Sequence, residues 1–309
     1  MKKRVRLISV AFLAMAALTA FTILKSKTKP GYVGSQTCAL CHQAKFDSLQ
    51  LTLHSKIHQV PTSGTVRPAW TGSVSMGSSY SNATVDLLMS GPVYQATLTP
   101  TSGFPATYDI AYTYGYGFKQ RYLVKIDSSF YILPIQYNLN KYLDNSSGTW
   151  ASYNPGTWFN ADGTLKTINN TFRKKSWDKN CSSCHITGNK IRKSIVGNDT
   201  SWVATWADAS SDLNMTVGCE NCHGPGGDHI SSMNADDIYG PQKMATTSIG
   251  RQNEMCGQCH SRSASPQHTY EYPYNEVADS GYYPGEVLAD FYAPWQTLFN
   301  QTGGPGVWS

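Results

Sequence analysis

The chain has 309 residues, with 25 Lys and Arg against 20 Asp and Glu, and 12% of it is aromatic. The formal charge of +5 is uneven: seven basic residues and no acidic one precede Pro30, so residues 30–309 hold 18 basic against 20 acidic groups, a net of −2. Such a balance excludes a chain built to bind a polyanion such as nucleic acid, and it ties the basic N-terminus to membrane topology.

Met1-Lys2-Lys3-Arg4-Val5-Arg6 is a basic n-region, and residues 7–24 form an apolar run without a charge, together an export signal. The A-x-A match at Ala14-Met-Ala16 lies inside that run, and 18 apolar residues sit at the lower limit for crossing a bilayer. Residues 1–24 therefore read as a cleaved signal peptide or an uncleaved membrane anchor. No Cys lies near Ala20, which argues against a lipoprotein. Either way the chain is expected outside the cytoplasm: in the periplasm, on the outer face of the cytoplasmic membrane, or outside the cell. Residues 25–34 read as a polar linker.

Four copies of Cys-x-x-Cys-His follow: Cys38-Ala-Leu-Cys41-His42, Cys181-Ser-Ser-Cys184-His185, Cys219-Glu-Asn-Cys222-His223 and Cys256-Gly-Gln-Cys259-His260. Two thiols at this spacing can form thioethers to the two vinyl groups of one porphyrin, and the next residue sets an imidazole under the iron. All eight cysteines are used by these motifs. A zinc site or a disulfide framework would explain the cysteines but not a His after every pair. The expected cofactors are four covalently attached haem c groups, held through Cys38, Cys41, Cys181, Cys184, Cys219, Cys222, Cys256 and Cys259, with His42, His185, His223 and His260 as proximal ligands.

Residues 35–60 form the first haem segment, and residues 44–60 have helical composition. His54 and His58, four apart, would then share one face. Residues 61–176 contain no Cys and no His and are rich in Tyr, Thr, Ser and Gly. Strand-like runs at residues 108–114, 120–126 and 130–133 predict a small antiparallel β insertion. Residues 177–268 hold three motifs, too densely for an ordinary apolar core, so the haems are expected to form the core among short helices and loops. The predicted fold class is thus a mainly α, loop-rich multihaem cytochrome c fold with a small β-rich insertion. Residues 269–309 are a tail whose Phe291, Trp295 and Phe299 are expected to wrap the haem domain. It ends on Gly303-Gly-Pro-Gly-Val-Trp-Ser309 without a capped element, as a truncated gene product would.

Four histidines remain outside the motifs: His54, His58, His229 and His268. One per iron would make every haem bis-His, a state suited to electron transfer rather than bond-making chemistry. His229 follows His223 by only six residues of Gly-Pro-Gly-Gly turn, too short to pass round the porphyrin edge, so it is expected on a neighbouring iron. His54 and His58 either serve different haems or act as ligand and support. Should His268 not ligate, a Met (Met215, Met233 or Met244), another subunit's His or nothing fills that place. Met76 and Met89 in the insertion read as packing residues. Gly224, Gly226 and Gly227 allow positive φ and close backbone approach, and Trp177 and Trp206 read as haem-stacking or core aromatics.

Tyr32-Val-Gly-Ser-x-x-Cys38-x-x-Cys41-His42 and Gly218-Cys219-Glu-x-Cys222-His223-Gly-Pro-Gly226-x-x-His229 resemble the multihaem c-type cytochromes, in particular relatives of the tetrahaem carrier that takes electrons from hydroxylamine oxidoreductase. The resemblance covers residues 32–60 and 177–268. It implies stacked haem pairs, mostly bis-His ligation with His229 as a distal ligand, and electron transfer. In that family one iron can be five-coordinate; the four spare histidines here point the other way. The leading expectation is an exported electron carrier of a respiratory chain whose redox partner has a basic docking face. The alternatives are a self-assembling subunit of an extracellular filament and a haem reductase with one open iron.

Overall fold

After Gly34, which takes φ 84°, the chain enters helix α1, Ser35–Gln50, broken at His42 where φ is −121° and ψ 40°. The computed structural model describes residues 31–144, 147–261 and 264–293, so the apolar run at residues 7–24, Trp295 and Phe299 lie outside the described residues. Among the described residues no helix is long and apolar enough to cross a membrane. Helix α1 stops ten residues short of the expected end. His54 lies in a 3₁₀ turn, His54–Lys56, and His58 opens a short strand β1, His58–Gln59, paired to Tyr114 and Thr113. Cross-strand pairing and full burial of His58 here outweigh helical composition.

The expected small insertion is instead the larger part of the architecture. Strands β2 (Gly72–Ser75), β3 (Thr84–Ser90), β4 (Val93–Thr99), β5 (Ala106–Tyr114), β6 (Lys119–Ile126), β7 (Ser129–Ile132), β8 (Ile135–Leu139) and β9 (Gly148–Ser152) join β1 in one antiparallel sheet. Its order is β2-β3-β4-β5-β6-β8-β9, with β1 on β5 and β7 on β6, and β2 returns against β9 so that the sheet curls nearly closed. The β6–β7 hairpin turns in two residues at Asp127, whose φ of 54° an Asp tolerates at a tight turn. Alternate strand positions face inward: Val85, Leu98, Tyr122, Leu133 and Ile135 are fully buried in one apolar cluster with Phe159, Trp70 and Met76. Burying each such side chain contributes about 1.5–3 kcal/mol.

This architecture corrects the predicted fold class. The chain is β-rich rather than mainly α, and its own side chains form a large apolar core in the sheet. Only two described helices exceed two turns, α1 with 16 residues and α8 (Ile249–His260) with 12. A second cluster shows an apolar core within residues 177–215 of the haem segment. Leu123 and Phe130 from the sheet pack with Trp177, Ile186, Ala204 and Met215, so the β unit and the haem segment share an interior.

Between the clusters lie short helices α2 (Asn170–Arg173), α3 (Trp177–Asn180) and α4 (Ser182–His185), then a hairpin of β10 (Lys190–Val196) and β11 (Asp199–Thr205). Buried Arg173 links them, 2.8 Å from Asp127 and 3.7 Å from Asp199. Helices α5 (Cys219–His223), α6 (Gly227–Ser232) and α7 (Pro241–Ala245) lead to α8, and a small pair, β12 (Tyr274–Asn275) and β13 (Ser280–Gly281), follows. Phe291 is buried against Tyr282, with ring centroids 5.6 Å apart. Met89 is exposed rather than packed, whereas Met76 and Met215 are core residues. Of the three glycines after His223, only Gly224 takes positive φ, at 73°.

Candidate functional site

Every motif has the same local form. Its two cysteines lie three residues apart, about one helical turn, so both thiols can face one side. The helix then ends or breaks at the histidine: α4 ends at His185, α5 at His223, α8 at His260, and α1 breaks at His42. All eight cysteines are free thiols.

The motifs come together in twos. Cys38 and Cys219 share a hydrogen bond, which together with burial raises the Cys38 thiol; the same bond lowers the Cys219 thiol to about 6 against the opposing effect of burial. Cys259 hydrogen-bonds with Cys184, and this contact, followed by burial, holds the Cys259 proton firmly. The first motif thus meets the third and the second meets the fourth. Among the described residues no group of three or more His, Cys, Asp or Glu converges as a metal-ion site.

Three of the four remaining histidines face a motif histidine. The rings of His42 and His229 are 6.4 Å apart and within 19° of parallel. Those of His54 and His260 are 6.1 Å apart, and those of His58 and His185 are 5.9 Å apart, each near perpendicular. Two metal–nitrogen bonds of about 2.0–2.1 Å place trans imidazole centroids about 6 Å apart. The His229 ring faces that of His42 rather than that of His223. His54 and His58, expected on one helical face, are directed to different motifs. His268 makes no ring contact with a motif histidine; it sits at φ 57° in a turn, its N–H donating to the Ser265 carbonyl.

The electrostatics suit neutral imidazoles. His58 is buried, neither of its ring nitrogens has a hydrogen-bond partner, and burial, followed by His185, drives its pKa well down. His185 falls to about 4 through burial, then Arg121 and His260, and its Nδ1 also lacks a partner. Buried polar atoms without a partner are costly, and metal ligation is one remedy. His223 Nδ1 lies 2.8 Å from the Tyr239 carbonyl and His229 Nδ1 2.8 Å from that of Asn234. A carbonyl only accepts, so each Nδ1 carries the proton and each Nε2 keeps its lone pair for a metal.

Residues that sequence reasoning missed hold the motifs in register. The buried Glu220 carboxylate accepts the N–H groups of Val33 (3.0 Å), Gly34 (2.8 Å) and Gly226 (2.8 Å), joining the start of the first haem segment to the turn before His229. Burial raises its pKa against those three bonds. Asn214 accepts the Ser35 N–H at 3.0 Å, and a Cβ on Gly34 would lie 2.6 Å from its Nδ2. Tyr114, from the cysteine-free β unit, brings its hydroxyl 3.1 Å from His185 Nε2 and stacks on His58 with centroids 5.0 Å apart. Trp177 is fully buried, a core residue beside His58. Asp178, a buried acid three residues before the second motif, holds the same region through the N–H groups of Phe130 and Ala204.

Paired thiols followed at once by a histidine are the arrangement that covalent haem c attachment requires. Residues 151–224 match the family model for cytochrome c554 and c-prime, a stretch that contains the second and third motifs. That match supports a c-type cytochrome with covalently bound haem c and an electron-transfer role. Neither a curated protein nor a solved structure matches the chain.

Proposed function

We propose that the chain is an exported tetrahaem c-type cytochrome of a respiratory chain, passing electrons through closely packed, mostly bis-His haems. The observation that carries this reading is the set of three His–His pairs at 5.9–6.4 Å, each joining a motif histidine to one from elsewhere in the chain. Haem attached at the motifs would be held by the eight cysteines, with His42, His185, His223 and His260 on one face of the irons. His229 would close the iron of His42, His54 that of His260, and His58 that of His185, while His268 faces no motif histidine. Haem c supplies a reversible one-electron couple, and two imidazoles per iron close it to substrate. Haems attached at these thiols would bring the first beside the third and the second beside the fourth, a spacing that suits electron transfer between them.

The intact mass of protein matured with a cytochrome c assembly system should exceed the polypeptide by four haems. Low-temperature EPR of the oxidised protein should be dominated by low-spin signals. A mass without haem would overturn the reading.

A second reading, a haem reductase, is favoured by one observation: among the described residues no imidazole faces His223. A substantial high-spin signal that shifts on adding nitric oxide would support it over the pure carrier.

A further inference from the structure

The net charge of −2 over residues 30–309 conceals a strong segregation. Six of the 18 basic residues after Pro30 lie within residues 174–193, where the one acidic residue is the fully buried Asp178. That segment also contains the second haem motif. The remaining 12 basic residues are spread among 19 acidic ones.

The fold gathers these charges instead of dispersing them. Lys174 and Lys175 are exposed just after α2, and Lys179 follows on α3, two residues before Cys181. Lys193 lies on edge strand β10 directly opposite Trp202 of β11. The Lys179 ammonium sits 5.8 Å over the Trp202 ring and 5.9 Å over that of Tyr270, and donates to the Thr269 carbonyl at 3.0 Å. Burial lowers the Lys179 pKa, and Lys174, Lys175 and Lys193 lower it further, with Glu271 as the acidic neighbour acting against them. Those four lysines are therefore near enough to repel one another. Lys190 and Arg192 alternate with Lys193 along β10, extending the positive charge round the same edge. Salt bridges would have neutralised a merely solvated surface. Among the described residues, Arg173 is paired with Asp127 and Asp199, whereas none of these six joins an ion pair shown by the geometry.

We propose that Lys174, Lys175, Lys179 and Lys193, flanked by Lys190 and Arg192, form the docking face for an acidic redox protein that exchanges electrons at the haem of the second motif. This inference rests on the electron-transfer reading above, and it replaces the expectation of a basic partner drawn from net charge alone. The partner's carboxylates would meet the lysines, the attachment site begins at Cys181, two residues after Lys179, and one electron passes from whichever centre is reduced to the one that is oxidised. Opposite charge raises the association rate and makes it fall with salt. Lysines on an edge strand also discourage strand pairing between copies, but a glutamate would do that equally well.

The haem-loaded full chain and its triple variant Lys174→Glu, Lys175→Glu, Lys193→Glu should be mixed in stopped flow with an acidic flavodoxin and, separately, with a basic monohaem cytochrome. At low ionic strength the variant should lose about tenfold or more in rate with the acidic carrier and its salt dependence should flatten, while the basic carrier should gain. The Lys→Gln triple variant should fall between the two. Equal rates for wild type and variants with the acidic carrier would overturn the docking face, as would loss of binding to phosphatidylserine vesicles with carrier rates unchanged, which would make the patch a membrane surface. Reduction by dithionite separates the two levels: all haems should reduce alike in every variant, and a chain without dithionite-reducible haem would instead overturn the electron-transfer reading.

Discussion

The hydroxyl of Tyr114, on the last residue of β5, lies 3.1 Å from Nε2 of His185, the last residue of α4, although 71 residues separate them. The β unit therefore reaches the haem site directly and is not merely a cover for it. Burial keeps the Tyr114 phenol protonated, and Arg121 lies 5.9 Å from its ring. Tyr114→Phe should leave four covalent haems but shift one midpoint potential in a spectroelectrochemical titration, the others staying in place. If no potential moves, the phenol has no bearing on the iron of His185.

His229→Ala should convert one low-spin haem to high spin with the intact mass of attached haem unchanged, because His229 faces His42 while His42 and its cysteines remain. His268→Ala, in an exposed turn, should leave the low-spin count as it was. EPR spin quantitation checks both.

His54→Ala and His58→Ala should act on different irons. Each alone should produce one high-spin haem, and the double variant two, since His54 faces His260 and His58 faces His185. A double variant no different from either single one would return the two histidines to a common site.

Trp177→Ala should destabilise the chain by about 3–5 kcal/mol, the usual cost of emptying a large buried aromatic site. Trp177 is fully exposed to neither solvent nor cavity but packed in the cluster joining sheet and haem segment. Chemical denaturation should show one transition rather than two, because that cluster couples both parts.

Asp178 gives a pH dependence with a definite sign. Its carboxylate accepts the N–H groups of Phe130 (2.5 Å) and Ala204 (2.8 Å), yet burial pushes its pKa up to about 7 from an ordinary 3.8. Between those values the folded chain holds a proton that the unfolded chain releases. Its contribution is therefore fully present below about pH 4 and is lost as pH rises through about 7, by up to about 1.4 kcal/mol per pH unit. Asp178→Asn loses an acceptor and should melt lower at acid pH, but with a flatter slope between pH 5 and 8. A parallel slope in thermal melts would mean that Asp178 does not titrate in that window.

The haem chemistry was legible in the sequence because it is local. A Cys-x-x-Cys-His turn carries its whole logic within five residues, and the short Gly-Pro-Gly-Gly connection is what pointed His229 away from the motif that precedes it. The strands at residues 108–114, 120–126 and 130–133 were legible for the same reason: β-branched and aromatic runs interrupted by Asp127. The remaining strands were not, since segments such as Thr84–Ser90 and Ile135–Leu139 mix polar and apolar residues and become strands by pairing with distant neighbours. The fate of His54 and His58 was decided the same way. Helical composition set them on one face, and only the pairing of His58 with Tyr114 turned it toward His185 while His54 met His260. By itself the sequence determined which residues can hold haem and where the charges lie along the chain. The tertiary structure decided which histidines face each other and that the core is largely a β-sheet's own, because both depend on contacts between residues far apart in the chain.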